Sequence, residues 1–398
     1  MKRATFLVTL ACFAPLAAGA GLPQSLQIHG FAALNPISTS GNNYFGKTDD
    51  TVSLEFWELG LNASWRPLTD LLISAQVASR RAGDEDQGTP RLDYGLVGYS
   101  FVNNQTLEAG LRAGRVLNPL GFFNETRDVA FTRDSILLPQ SIYDDRTRDS
   151  SFSSDGAQLF ANYRSPVGDW YLQVNAGTPR TDDSARTERA ILGADLPGRF
   201  TGDTSVLGRL IYERDGGRWR VGVSAGSVRL HYDPKLPKGV LRQSFPGETD
   251  FRPLIFSFQY NAEKFSLTSE FGTRQLKTRG FNRGETSTTG EASYIEALYR
   301  FTPKWEGFVR YDRLFVDRQD KSGQRFVAAN YPFVRPAYFR FAKDLTAGIA
   351  WRPKKWMLLR AEFHYVNGTA WLPLADTQDF DDIQQYWSIF ALQFAVRF

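Results

Sequence analysis

Cysteine is almost missing from this 398-residue chain: its single copy is Cys12, and methionine and histidine occur only two and three times. Long apolar runs are missing as well. The one uncharged apolar stretch is Thr5 to Gly21, so a bundle of membrane-crossing helices, which needs several runs of about 20 residues, is excluded. That stretch reads as a secretory signal over residues 1–20, with Lys2 and Arg3 at its start, an apolar middle from Phe6 to Leu16, and Ala18-Gly19-Ala20 as the cleavage site. Cys12 leaves with it, which removes disulfides and thiol chemistry from the mature chain 21–398. A lipidated Cys12 fits Thr9-Leu10-Ala11-Cys12 poorly and would leave too short an apolar core. Losing Lys2 and Arg3 lowers the formal net charge from +4 to +2, so nothing points to a nucleic-acid partner. Disorder is excluded by an aromatic content of 14%.

What the chain does have is alternation with a period of two. In Trp170 to Ala176, Trp170, Leu172, Val174 and Ala176 share one face and Tyr171, Gln173 and Asn175 the other; Trp219 to Ala225 and Phe265 to Arg274 repeat the pattern. Helical periodicity is almost absent. Seven short turns follow a shared form in which an aromatic ends one strand, at 65–70, 101–105, 163–170, 212–219, 260–265, 299–305 and 351–356. Between them lie eight long polar connections, about 35–50, 83–89, 117–153, 179–202, 233–249, 278–287, 318–341 and 368–384. Together they delimit 16 strands. A soluble sandwich or propeller would hide its apolar faces in a core, whereas a membrane barrel turns them to lipid, with an aromatic girdle at the interface. The expectation is therefore an all-β, transmembrane, antiparallel barrel occupying 21–398 as one domain.

The last strand carries Phe390, Leu392, Phe394, Val396 and Phe398 on one face and Ile389, Ala391, Gln393, Ala395 and Arg397 on the other. It resembles the final strand of bacterial outer-membrane proteins, in which the terminal aromatic, here Phe398, implies an assembly signal read by the barrel-insertion machinery. The longest connection, 117–153, is the third long loop. In this the chain resembles the trimeric, 16-stranded porins of Gram-negative outer membranes, a likeness that implies a homotrimer and a third loop folded into the lumen as a constriction. The run Gly114-Arg115-Val116-Leu117-Asn118-Pro119-Leu120-Gly121 is similar to the strand-to-loop junction of the phosphate-selective porins, but the loops hold few lysines, so phosphate specificity is not implied.

The residues point inward independently. Leu120, Phe122, Phe123, Val129, Phe131, Ile136, Leu137, Leu138 and Ile142 make 117–153 too apolar for a solvated loop, while Glu125, Arg127, Asp128, Arg133, Asp134, Asp144, Asp145, Arg146 and Arg148 make it too charged for a core. An outer cap or a trimer contact is the competing reading. Ser135 to Gln140 is expected to form a short helical turn limited by Pro139. Extending the alternation places Arg80, Arg112, Arg209, Arg220, Arg274, Arg310, Arg360 and Arg397 on the inner face with Glu58, Glu108, Glu270, Glu296 and Glu362. Such charges either filter solutes or pair with one another to stiffen the wall.

Gly222-Val223-Ser224-Ala225-Gly226 matches G-x-S-x-G, with His231 downstream, but it sits in an alternating strand with no helix after it. His29, His231 and His364 are isolated, so no metal and no cofactor is indicated. The sequence thus predicts a non-enzymatic outer-membrane porin: a passive, water-filled channel for small hydrophilic solutes or ions, with a slight anion preference, in contact with outer-membrane lipids. The alternatives are a barrel-embedded lipid hydrolase built on Ser224 and a plugged structural barrel.

Overall fold

The computed structural model describes residues 25–398 except 182–185, 193–197, 236–244, 283, 331–334 and 378–380; the expected signal segment 1–20 lies outside the described residues. Alternating sequence becomes sixteen long strands: β1 (Leu26–Leu34), β2 (Phe56–Leu68), β3 (Leu71–Ala82), β4 (Arg91–Asn103), β5 (Leu107–Leu117), β6 (Ser153–Ser165), β7 (Gly168–Pro179) and β8 (Gly198–Arg214), then β9 (Trp219–Pro234), β10 (Gly247–Asn261), β11 (Phe265–Gly280), β12 (Thr286–Thr302), β13 (Trp305–Phe315), β14 (Phe341–Lys354), β15 (Met357–Gly368) and β16 (Tyr386–Arg397). Each pairs antiparallel with the next, and β16 returns to β1 through Phe31 opposite Arg397 and Leu34 opposite Phe394, so the sheet closes. A short segment, Ile37–Ser40, prolongs this seam along β16. Seven short turns gather at one end and eight long loops at the other, as the turn spacing predicts.

The faces separate as expected over most of the wall. On β13, Val309 and Tyr311 are 55% and 42% exposed on the outside, whereas Arg310 and Asp312, one residue on from each, are 1% exposed inside. Aromatic pairs mark the short-turn end: Trp305 stacks on Trp351 with centroids 5.4 Å apart, and Trp170 with Tyr212 and Trp219 with Tyr260 lie at 4.6 and 4.4 Å. Local bulges correct the simple count. A register shift opposite Gln76 and Val77 leaves Asp93 unpaired on β4 and turns it inward, where it is fully buried.

Phe398 closes the seam. Its amide donates to the Gly30 carbonyl at 3.0 Å, its carbonyl accepts from the Gly30 amide at 3.2 Å, and its ring lies where a Cβ on Gly30 would stand, 2.4 Å away. Deleting Phe398 removes two backbone hydrogen bonds worth about 1 kcal/mol each. The deletion should reduce the heat-resistant folded band on a gel; an unchanged band would show that the seam does not depend on it.

Candidate functional site

The third long loop, Asn118 to Phe152, crosses the inside of the barrel rather than standing outside it. From β5 it runs first along one wall. Asn175 donates to the carbonyl of Leu117 at 2.8 Å, the Gly121 amide donates to Ser224 Oγ at 3.0 Å, and Arg209 donates to the Gly121 carbonyl at 2.7 Å. The Phe122 amide donates to Glu270 at 3.0 Å. The chain then crosses to the far wall, where Arg360 holds the Ala130 carbonyl at 2.8 Å and Glu58 accepts from Arg133 at 2.5 Å. It returns with the Ile136 and Leu137 amides on Glu362, the Ser141 amide on Asp312 at 3.2 Å, and Tyr143 Oη on Glu270 at 2.5 Å. Gly121, at φ +58°, allows this path: a Cβ there would lie 2.4 Å from Tyr143 Oη and 2.8 Å from Glu270.

The predicted charges fall into three groups. Arg80 is central, with Asp145 at 3.3 Å, Glu58 at 3.6 Å and Asp86 at 3.9 Å. Arg310 donates to Ser135 and to the Leu137 carbonyl, both at 2.9 Å, and pairs with Glu296 at 3.3 Å. Arg274 reaches the Ser141 carbonyl at 3.1 Å and Asp144 at 3.5 Å, and Arg209 pairs with Glu125. These wall arginines, with Arg360, grip the loop. Within the loop, Arg127 donates to the Tyr143 carbonyl and pairs with Asp145, Arg133 turns back to the Arg127 carbonyl at 2.6 Å, and Asp128 pairs with Arg148. A third group bonds to wall side chains: Arg112 donates to Gln158 at 2.5 Å, Asn162 to Glu108 at 3.1 Å, and Arg220 to Glu213 at 2.5 Å, while the Arg220 guanidinium also lies 4.7 Å from the ring centroid of Phe122 in the loop. Asp134 is half-buried, and Arg397 is exposed with its guanidinium 4.4 Å from the Phe131 ring centroid.

Two expectations need correction. Ser135 to Leu137 forms bends, because the amides of 136 and 137 are taken by Glu362 on the wall, and the helical turn is displaced to begin at Pro139, whose carbonyl accepts from the Ile142 and Tyr143 amides at 3.2 and 2.9 Å; further short helical pieces lie at Asn124–Thr126, Ala130–Thr132, Asp145–Thr147 and Arg148–Phe152. Nor is the inner face uniformly polar. Toward the long-loop end, Leu207, Val228, Ile255, Leu314, Val366 and Ile389 point inward and pack in one cluster with Ile136, Leu137, Leu138 and Ile142 of the third loop. Tyr44 and Phe45 of the first long loop and Trp371 and Leu372 of the eighth complete this interior core. At the level of the third loop, each of the sixteen strands contributes at least one inward side chain less than a tenth exposed, from Glu58 and Asp93 on β2 and β4 round to Glu362 and Gln393 on β15 and β16. Beside Arg80 a cavity of about 10 Å³ remains, room for a single water.

Carboxylates absent from the inward charges read off the sequence matter to this arrangement. Asp312, Asp344 and Asp93 face inward, and His364 lies between Asp344, 2.8 Å from Nδ1, and Glu362, 3.3 Å from Nε2. Asp312 and Asp344 do sit on the inward parity of their strands; Asp93 is legible only once the bulge is known. In the loop, burial pushes the Asp144 carboxyl up, but Arg146 and Arg274 more than offset it and hold it below the usual carboxylate range. Burial, then the neighbouring Arg127 and Arg80, depresses the Arg148 guanidinium. The G-x-S-x-G run lies in the middle of β9 without the strand-turn-helix of a nucleophile elbow, and Ser224 and His231 occupy opposite faces of that strand. Among the described residues, no three His, Cys, Asp or Glu side chains gather closely enough to hold a metal ion.

A closed, antiparallel, 16-stranded barrel with a long third loop folded into its lumen is the fold of the Gram-negative outer-membrane porins. Among solved structures, the chain is similar to outer-membrane expressed OmpT of Vibrio cholerae, with a TM-score of 0.58 and 10% identity over 95% of this chain and 99% of that one. It is also similar to Pseudomonas putida OprB, with a TM-score of 0.57 and 12% identity over 94% of each chain, and to the anion-selective porin from Comamonas acidovorans, with a TM-score of 0.55 and 13% identity over 94% and 98%. No protein-family model matches the sequence, and neither does any curated protein.

Proposed function

We propose that this protein is an outer-membrane channel of the porin type for small hydrophilic solutes, resting in a closed state in which the third loop spans the lumen. The observation that carries this reading is the pairing of an apolar outer belt with a loop fastened to opposite walls. A barrel of this strand number leaves an aqueous lumen unless something fills it; here the third loop fills it, joined by the first and eighth. The loop is held by hydrogen bonds and ion pairs to the wall, so its displacement is the step that opens a path, and a barrel that stays tight when those contacts are removed would be the plugged alternative. The apolar belt supports residence in the outer membrane, and the fold supports a homotrimer in which the short turns face the periplasm. No catalytic step is needed, and Ser224 is employed in holding Gly121.

Toward the short-turn side of the loop, the inner wall carries Arg112, Arg220, Arg300 and Arg352 against Glu108, Glu213 and Glu306, with Arg220 paired to Glu213 and Arg352 to Glu306, and this small positive excess supports a slight preference for anions once the path opens. Reversal potentials in asymmetric potassium chloride test it. A shift toward the chloride potential is expected, and a clear cation preference would refute the selectivity.

A further inference from the structure

We propose that one sector of the short-turn rim, formed by the β12–β13 and β14–β15 turns, binds the headgroup of an anionic phospholipid and holds its acyl chains against the neighbouring tryptophans. The inference requires a barrel that stands in a bilayer with its short turns at one surface; it requires neither conduction nor a closed lumen. Charge on that rim is uneven. In the first five short turns every cation has an acidic counterpart in the same turn: Arg66 with Asp70, Arg164 with Asp169, Arg214 and Arg218 with Glu213 and Asp215, and Lys264 with Glu263, while 101–105 carries no charge. The last two turns, 299–305 and 351–356, hold Arg300, Lys304, Arg352, Lys354 and Lys355 and no acid.

Two of these five cations are committed to the inner wall. Arg300 donates to Ser266 Oγ at 2.8 Å, and Arg352 pairs with Glu306. At the end of neighbouring β16, Arg397 is matched by the terminal carboxylate. Lys304, Lys354 and Lys355 remain. All three are exposed, and among the described residues their ammonium groups form no ion pair or hydrogen bond. Backbone contacts hold them in one sector: the Arg352 amide donates to the Lys304 carbonyl at 2.8 Å, and Arg397 Nε donates to the Lys355 carbonyl at 3.1 Å, which ties the second turn to the last strand. Next to these lysines, Trp305 and Trp351 stand opposite each other on the outer face with their rings stacked, and Trp356 is 53% exposed. Indoles at the lipid boundary offer acyl chains an apolar surface, and ammonium groups on the water side attract anionic headgroups. Three cations without counter-charge beside an apolar outer wall complement an amphiphile with a negative head. An acidic protein would engage the lysines and leave the tryptophans unused, and a zwitterionic lipid brings a cation of its own.

The test incubates the detergent-solubilised full-length protein with equimolar dioleoyl phosphatidylglycerol and dioleoyl phosphatidylcholine, removes free micelles by gel filtration and quantifies the lipid retained per barrel. Each basic residue near an anionic lipid surface is worth about fivefold in affinity, so phosphatidylglycerol should be enriched at least about tenfold. Raising the salt concentration should lower that enrichment. The triple substitution Lys304→Gln, Lys354→Gln and Lys355→Gln should bring it close to unity, while Arg214→Gln, Arg218→Gln and Lys264→Gln, which remove as much positive charge elsewhere on the rim, should leave it unchanged. Equal retention of the two lipids, no effect of the first triple, or the same loss with the second would overturn the proposal. So would release of the bound lipid by excess glycerol phosphate or polyglutamate, which would assign the sector to a soluble phosphate ester or to an acidic macromolecule. A parent chain that enters vesicles of neither lipid would contradict the barrel reading itself, whereas one that enters both without preference contradicts only this inference.

Discussion

Replacing residues 121–145 by a short Gly-Ser linker is expected to turn a barrel that passes little current into one that conducts freely, a rise of about tenfold or more in planar bilayers. The argument rests on what the segment does. Its amides and carbonyls satisfy Glu270, Asp312, Arg310, Glu362 and Arg360 on β11, β13 and β15, its Gly121 is held by Ser224 and Arg209 on β9 and β8 and its Arg133 by Glu58 on β2 across the barrel, and its Ile136, Leu137, Leu138 and Ile142 fill the space over the inward apolar residues. The strand ladder itself contains none of these residues, so the closed sheet retains every backbone pair that the bilayer demands. Once the segment is gone, the wall charges hydrate and water has a continuous route. A barrel that folds yet stays as tight as the parent would place the closure in Tyr44, Phe45 and Trp371 instead.

Arg310→Ala should release the same loop without shortening it. Arg310 is nearly inaccessible; it holds Ser135 and the Leu137 carbonyl on the loop and pairs with Glu296 on the wall. Truncation leaves the Glu296 carboxylate buried without its counter-charge, a defect that costs about 3–5 kcal/mol in buried ion pairs. Relief comes most readily if the loop lifts and water enters. Hydrogen exchange at residues 130–145 should therefore quicken by orders of magnitude while the strand amides of β13 and β14 stay protected. Arg310→Lys, which keeps the charge but loses the fork, should lie between. Unchanged protection of the loop would show that Arg310 is not one of its anchors.

The barrel was legible because its two signals are local. Alternation fixes each strand's faces, and turn chemistry at sites such as Arg352-Pro353-Lys354-Lys355 marks where a strand reverses, so the seven turns and eight loops fall where the sequence puts them. The inward third loop was legible from the coexistence of Ile136 to Leu138 with Arg127 and Arg133 in one segment. Its conformation was not: the amides of 136 and 137 avoid helix because of Glu362, more than 220 residues away, and local propensity holds no trace of that partner. The same applies to the interior core. Val228, Ile255 and Leu314 sit on the inward parity, yet whether such residues face water or packed side chains depends on Trp371 and Tyr44 arriving from loops at the two ends of the chain. Asp93 shows the third gap, a bulge that exchanges faces within one strand.

The claim on which the rest depends is a lumen closed by packed side chains inside a belt that faces lipid. It is tested most directly by reconstituting the unaltered protein in liposomes loaded with a small neutral sugar and measuring efflux without applied voltage. Efflux close to that of protein-free vesicles is predicted; rapid sugar release from the intact barrel would contradict it.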